Sequence, residues 1–102
     1  VKIILDECVP ALVRHKLPHH DIVTVQSKGW AAVKNGQLLK LVSAEFDLFI
    51  TSDKNLRHQQ NLANFDIAII LLPSNQVPAI RALLAQIDAA LSSIAPKGFV
   101  EI

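Results

Sequence analysis

Short, almost unbroken apolar runs alternate along this chain with longer stretches in which apolar residues recur every three or four positions. The runs at residues 1–5, 48–51 and 67–72 are nearly continuous, the pattern of strands buried on both faces of a sheet. Residues 21–25 alternate and are rich in β-branched side chains, which also reads as a strand. A last short strand is predicted over 99–102, after the punctuation of Pro96 and Gly98. Between them lie helical patterns. Pro10 opens a short helix through Leu17, with Val9, Leu12, Val13 and Leu17 inward, since proline is tolerated in a first turn. Asn35 is placed to cap a helix running to residue 45 or 46, with Leu38, Leu39 and Val42 inward. A short polar helix is predicted over 55–62. The longest spans 77–94, where Val77, Ile80, Leu84, Ile87, Leu91 and Ile94 follow the helical period.

Strand and helix therefore alternate strictly, which predicts an α/β fold with a parallel sheet and helices on both faces. The expected architecture is a three-layer Rossmann-like sandwich with a mainly parallel five-stranded sheet. Its expected strand order is two, one, three, four, five. The direction of the last strand is left open. With 102 residues the chain makes one domain, 1–102.

Composition refines this picture. Hydrophobic residues make up 51% and charged residues 19%, enough for a full core with apolar surface left for a partner. A formal net charge of +1 excludes binding nucleic acid through bulk basicity, so any such contact needs locally placed charge. The single cysteine, Cys8, permits no intrachain disulfide and reads as a small core filler. With no membrane-spanning run and no signal-like start, the expected location is the cytoplasm.

The candidate chemistry sits at strand ends. The first strand runs into Asp6 and Glu7, and the third into Asp53. In an open parallel sheet the ligand crevice lies outside the carboxyl ends of the strands. If strands one and three are neighbours, these acids converge. Asp6 and Asp53 would then suit a hard divalent cation such as Mg²⁺ or Mn²⁺, which takes carboxylate oxygens plus water and substrate phosphate. Such an ion supports phosphodiester hydrolysis. Against this, an Asp after a strand commonly caps the following turn or helix, and either acid alone reads that way. Only the pair reads as a site. Glu7 alternates to the other side of an extended chain from Asp6. Asp21 and Asp47 begin their strands and belong to the opposite edge. Lys28, Lys34, Lys54, Arg57 and His58 follow strand ends and are expected to rim the acids, suiting a phosphate backbone. His19 and His20 follow Pro18 at the other edge and read as solvated. Trp30 reads as packing under its loop.

Three segments together resemble a known family: L-D-E-C-V-P at 5–10, G-W-A-A-V-K-N-G-Q-L-L at 29–39, and D-L-F-I-T-S-D-K-N-L-R-H-Q-Q-N-L at 47–62. The resemblance is to small bacterial PIN-like proteins, described as toxins or as a domain of unknown function, and it runs to about Leu72. It implies a reduced PIN fold and kinship with metal-dependent ribonucleases of toxin–antitoxin pairs. On that resemblance Asp6 matches the first acid, Glu7 the acid beside it, and Asp53 the acid after the third strand. A further acid that many relatives carry at the start of the second helix is matched here by Asn35 and, nearby, Gln37. These amides contribute no charge, so cation affinity should fall. The resemblance thus implies a Mg²⁺- or Mn²⁺-dependent ribonuclease. Asp6 and Asp53 would hold the metal, Glu7 would act beside them, and Lys54, Asn55, Arg57, His58 and Asn35 would face RNA. The alternative is a PIN-like module without catalysis that binds an antitoxin protein or a second copy of itself. Two other classes fit less well. A phosphoryl-accepting receiver needs a Lys after the fifth strand and a further helix, and a haloacid-dehalogenase-type phosphatase needs an acid where Cys8 stands.

Overall fold

The computed structural model describes residues 1–33, 35–56 and 61–102, with the side chain of Asn35 outside that set. In chain order it forms β1 (Lys2–Leu5), α1 (Leu12–Lys16), β2 (Asp21–Thr24), α2 (Asn35–Glu45), β3 (Leu48–Thr51), β4 (Ala68–Leu71), α3 (Val77–Ser93) and β5 (Phe99–Glu101). A single 3-10 turn, Leu62–Asn64, precedes β4 and is capped by Asn61, whose side chain accepts from the Ala63 N–H. Of the short helix predicted over 55–62, Leu56 is buried while residues 57–60 lie outside the described set.

The five strands form one sheet in the order β2-β1-β3-β4-β5. Every pairing is parallel, including that of β5 with β4. The predicted order is therefore the observed one, and the direction of the last strand is settled as parallel. Ile4, Leu5, Ile50 and Ile70 are wholly buried, as continuous apolar runs require when both sheet faces are covered.

Side-chain alternation divides the core in two. Ile3, Leu5, Ile50 and Ile70 point to one face, where Val13 of α1 and Ile80, Ile87 and Leu91 of α3 cover them. Ile4, Phe49 and Ile69 point to the other, where Leu38, Leu39 and Val42 of α2 and Leu56 meet them. Each such side chain contributes roughly 1.5–3 kcal/mol when fully buried, so both faces are firmly held. Trp30 packs edge-on against Phe46, with ring centroids 6.3 Å apart. Among the described residues no helix is long and apolar enough to cross a membrane.

Register positions the site. Leu5 lies level with Ile50 of β3, so the residue after β1 stands beside the last residue of β3. The Asp6 N–H donates to the Ile50 carbonyl at 2.9 Å, extending the ladder one residue past β1.

Candidate functional site

At the carboxyl ends of β1 and β3, Asp6, Glu7, Cys8, Ser52, Asp53 and Asn75 line one open depression of about 340 Å³. Asp6 and Thr51 are the buried polar residues of the described chain. Both are hydrogen-bonded within the local network. Asp6 Oδ1 accepts from the Glu7 N–H at 2.8 Å. Its Oδ2 accepts from the Thr51 hydroxyl at 2.8 Å and from the Cys8 thiol at 3.6 Å. A carboxylate offers about four lone-pair sites. The described donors occupy three of them, so acceptor capacity remains on Oδ1.

Thr51 ties the two acids together. Its Oγ1 donates to Asp6 and accepts from the Asp53 N–H at 3.1 Å. One side chain at the last position of β3 thus braces the loop after β1 and the loop after β3. Asp53 Oδ1 accepts from the Asn55 N–H at 3.0 Å, a local turn bond of the kind Asp forms after a strand. Asp53 therefore has the turn-bracing role expected of a lone Asp, and it also lines the shared depression. Glu7 is exposed. The strand has ended by this point, so strand alternation no longer applies, and a turn brings Glu7 to the same depression as Asp6.

Cys8 is half-buried and has more polar company than a core filler needs. Besides its bond to Asp6, its sulfur accepts from the Ser52 hydroxyl at 3.0 Å. Ser52, Thr51, Cys8 and Asn75 are the site residues that periodicity and charge did not single out. The signal for Asn75 was its place in the loop that follows the fourth strand, at the same sheet edge as the loop that carries Asp53 after the third.

Among the rim residues, Lys54 and Asn55 are exposed beside Asp53. Lys34, Arg57 and His58 lie outside the described residues, as do Gln59 and Gln60. Lys28, expected at the acid rim, is instead ion-paired with Glu45 of α2 at 2.7 Å, with its ammonium 5.1 Å from the Trp30 ring centre. The α2 end and the Trp30 loop attract it, since charge and ring quadrupole both favour a cation there.

The opposite edge of the sheet holds a larger depression, about 470 Å³, whose polar lining includes Asp47, Asp66 and Lys97. Asp47 is committed there, as expected for an acid at the start of a strand, because it accepts from the Lys2 N–H at 2.8 Å. The same edge carries a group of side chains able to hold a metal ion: His19, His20 and Asp88, whose ligand atoms lie within 4.8 Å of one another. Among the described residues this is the one such group of three or more. Asp6, Glu7 and Asp53 do not form one. His19 and His20, expected to be solvated, are thus engaged with α3.

No family model matches the chain, and no curated protein or solved structure matches it.

Proposed function

We propose that this protein is a PIN-like nuclease that cleaves RNA with the aid of Mg²⁺ or Mn²⁺ at the β1–β3 edge, as the toxin of a toxin–antitoxin pair. The observation that carries the reading is the Thr51 bridge. It fastens a buried Asp6 and an Asp53 from adjacent parallel strand ends to one hydroxyl, at the lip of a single depression. Ligands in such sheets gather at that edge. A divalent ion held by these carboxylates would polarise a phosphoryl oxygen and lower the pKa of a bound water. Asp6, fixed by three donors, supplies an immobile oxygen. Glu7, exposed at the turn, orients the attacking water. Lys54 and Asn55 meet the phosphate backbone from the rim, with Arg57 and His58 assigned to the same task by their place in the chain. A reducing cytoplasm suits the Cys8 thiol among these groups.

The test pairs Mn²⁺ calorimetry with cleavage of a mixed RNA pool. Asp6→Asn and Asp53→Asn should each abolish both ion binding and cleavage while the far-ultraviolet spectrum stays native. Cleavage by both variants at the wild-type rate would end the proposal.

Neutral Asn35 and Gln37 favour a second reading, in which the domain binds an antitoxin or its own copy without catalysis. Small, uncharged residues on the outward face of α3, such as Ala82, Ala85 and Ala89, agree with it. Under that reading the protein is a homodimer or a heteromer by sedimentation, and Asp6→Asn leaves the assembly unchanged.

A further inference from the structure

We propose that His19, His20 and Asp88 form a binding site for a borderline transition-metal ion of the Zn²⁺ class, at the edge of the sheet opposite the acids. The site stands apart from the proposed nuclease centre and does not depend on it.

Local structure explains why two adjacent histidines can converge. Successive side chains of a strand point to opposite faces, but His19 and His20 lie in the turn between α1 and β2. The His20 N–H donates to the Leu17 carbonyl at 3.1 Å, closing that turn. The two rings consequently sit side by side, with centroids 4.3 Å apart. Asp88 comes from far along the chain. It follows the buried Ile87 on α3, and Ile80, Ile87 and Leu91 pin that helix to the same sheet face that α1 covers. Asp88 is therefore presented by a rigid element, not by a loop.

The distances suit a single ion. Nε2 of His19 lies 3.0 Å from Asp88 Oδ1, and Nε2 of His20 lies 2.7 Å from the same oxygen. Around tetrahedral zinc, with bonds to nitrogen and oxygen near 2.0–2.2 Å, neighbouring ligand atoms stand about 3.3 Å apart. Each imidazole nitrogen needs to draw back from Asp88 Oδ1 by only about half an ångström to admit the ion, and the ligand atoms all lie within 4.8 Å of one another. The ion would take the Nε2 lone pair of each neutral imidazole, whose single proton then sits on Nδ1. Hydrogen bonds from His20 and then His19 hold the Asp88 carboxyl below its usual range, so a charged ligand is already in place. His20 is largely covered, whereas the side chains of His19 and Asp88 are 57% and 38% exposed, which leaves an open side for a water as fourth ligand.

The donor set decides the metal. Two imidazoles and one carboxylate suit Zn²⁺, Co²⁺, Ni²⁺ or Cu²⁺, whereas Mg²⁺ and Mn²⁺ prefer sites made of oxygen. The chain would thus carry a nitrogen-rich site at one sheet edge and an oxygen-rich one at the other. A bound ion joins the α1–β2 turn to α3 and stabilises the fold by binding the native state alone.

Zinc titration of the full chain by calorimetry tests this, with Co²⁺ absorption as a report on coordination geometry. The expected result is one Zn²⁺ per chain, undiminished by excess Mg²⁺, with a melting temperature that rises on adding zinc. His19→Gln and Asp88→Asn, both at partly exposed positions that leave the core intact, should weaken binding by at least about a hundredfold. That is the upper end of what losing even an outer-shell partner costs. Asp6→Asn and Cys8→Ser should bind zinc as the wild type does. Three results would overturn the assignment: no zinc bound, wild-type affinity in His19→Gln and Asp88→Asn, or loss of binding in Asp6→Asn or Cys8→Ser instead. A stoichiometry of one ion per two chains would also overturn it, since the ligands would then come from different molecules.

Discussion

Replacing Thr51 by Val removes one hydroxyl from the centre of the acid site and leaves the shape of the side chain almost unchanged. Thr51 is fully buried, and its oxygen serves both acid-bearing loops. A hydrogen bond to a charged partner contributes about 1.5–3 kcal/mol, and an abandoned buried donor costs about 1 kcal/mol more. The extra buried methyl returns roughly 0.8 kcal/mol. The net loss expected for Thr51→Val is therefore about 2–3 kcal/mol. For a domain of this size that corresponds to a fall in melting temperature on the order of 10 °C. Urea denaturation of wild type, Thr51→Val and Thr51→Ser measures it directly. Thr51→Ser keeps the hydroxyl and loses one methyl, so it should cost only about 1 kcal/mol. In an Asp6→Asn background the effect of Thr51→Val should shrink, because the charged acceptor is already gone. The bridge is refuted if Thr51→Val matches wild type within about 0.5 kcal/mol, or if Thr51→Ser proves the costlier change.

Other consequences reach further from the site. Ile87 is wholly buried where α3 meets the sheet, so Ile87→Ala should destabilise by about 2–5 kcal/mol in the same denaturation assay. Gly29 has φ +78° with open space around it, so Gly29→Ala should cost only the backbone strain, about 1–2 kcal/mol. A Cβ at Gly98 would lie 2.8 Å from the Ala95 carbonyl oxygen. Gly98→Ala should therefore melt below Gly29→Ala in a parallel thermal scan. Lys28→Gln should lose roughly 0.2–1 kcal/mol, and the loss should diminish as salt is raised from low to high concentration, because the pair with Glu45 is partly exposed.

The unbroken apolar runs of β1, β3 and β4 already demanded a sheet covered on both faces, and their alternation with helices left little choice but a parallel one. Both are local properties, carried by neighbouring residues, so the strand order and the edge on which Asp6 and Asp53 stand were readable before any coordinates. The punctuation after α3 shows where local reading stops. Glycine is the usual choice for a left-handed backbone, yet there Lys97 takes φ +61°, and Gly98 is needed for closeness to Ala95. Cys8 looked like a filler and Lys28 like a rim cation, because each was judged without its distant neighbours. The joining of Asp6 to Thr51 spans 45 residues, and that of His20 to Asp88 spans 68. No spacing along the chain encodes such contacts. They exist because strand register and helix packing bring remote side chains within hydrogen-bonding distance, and only the folded chain sets both.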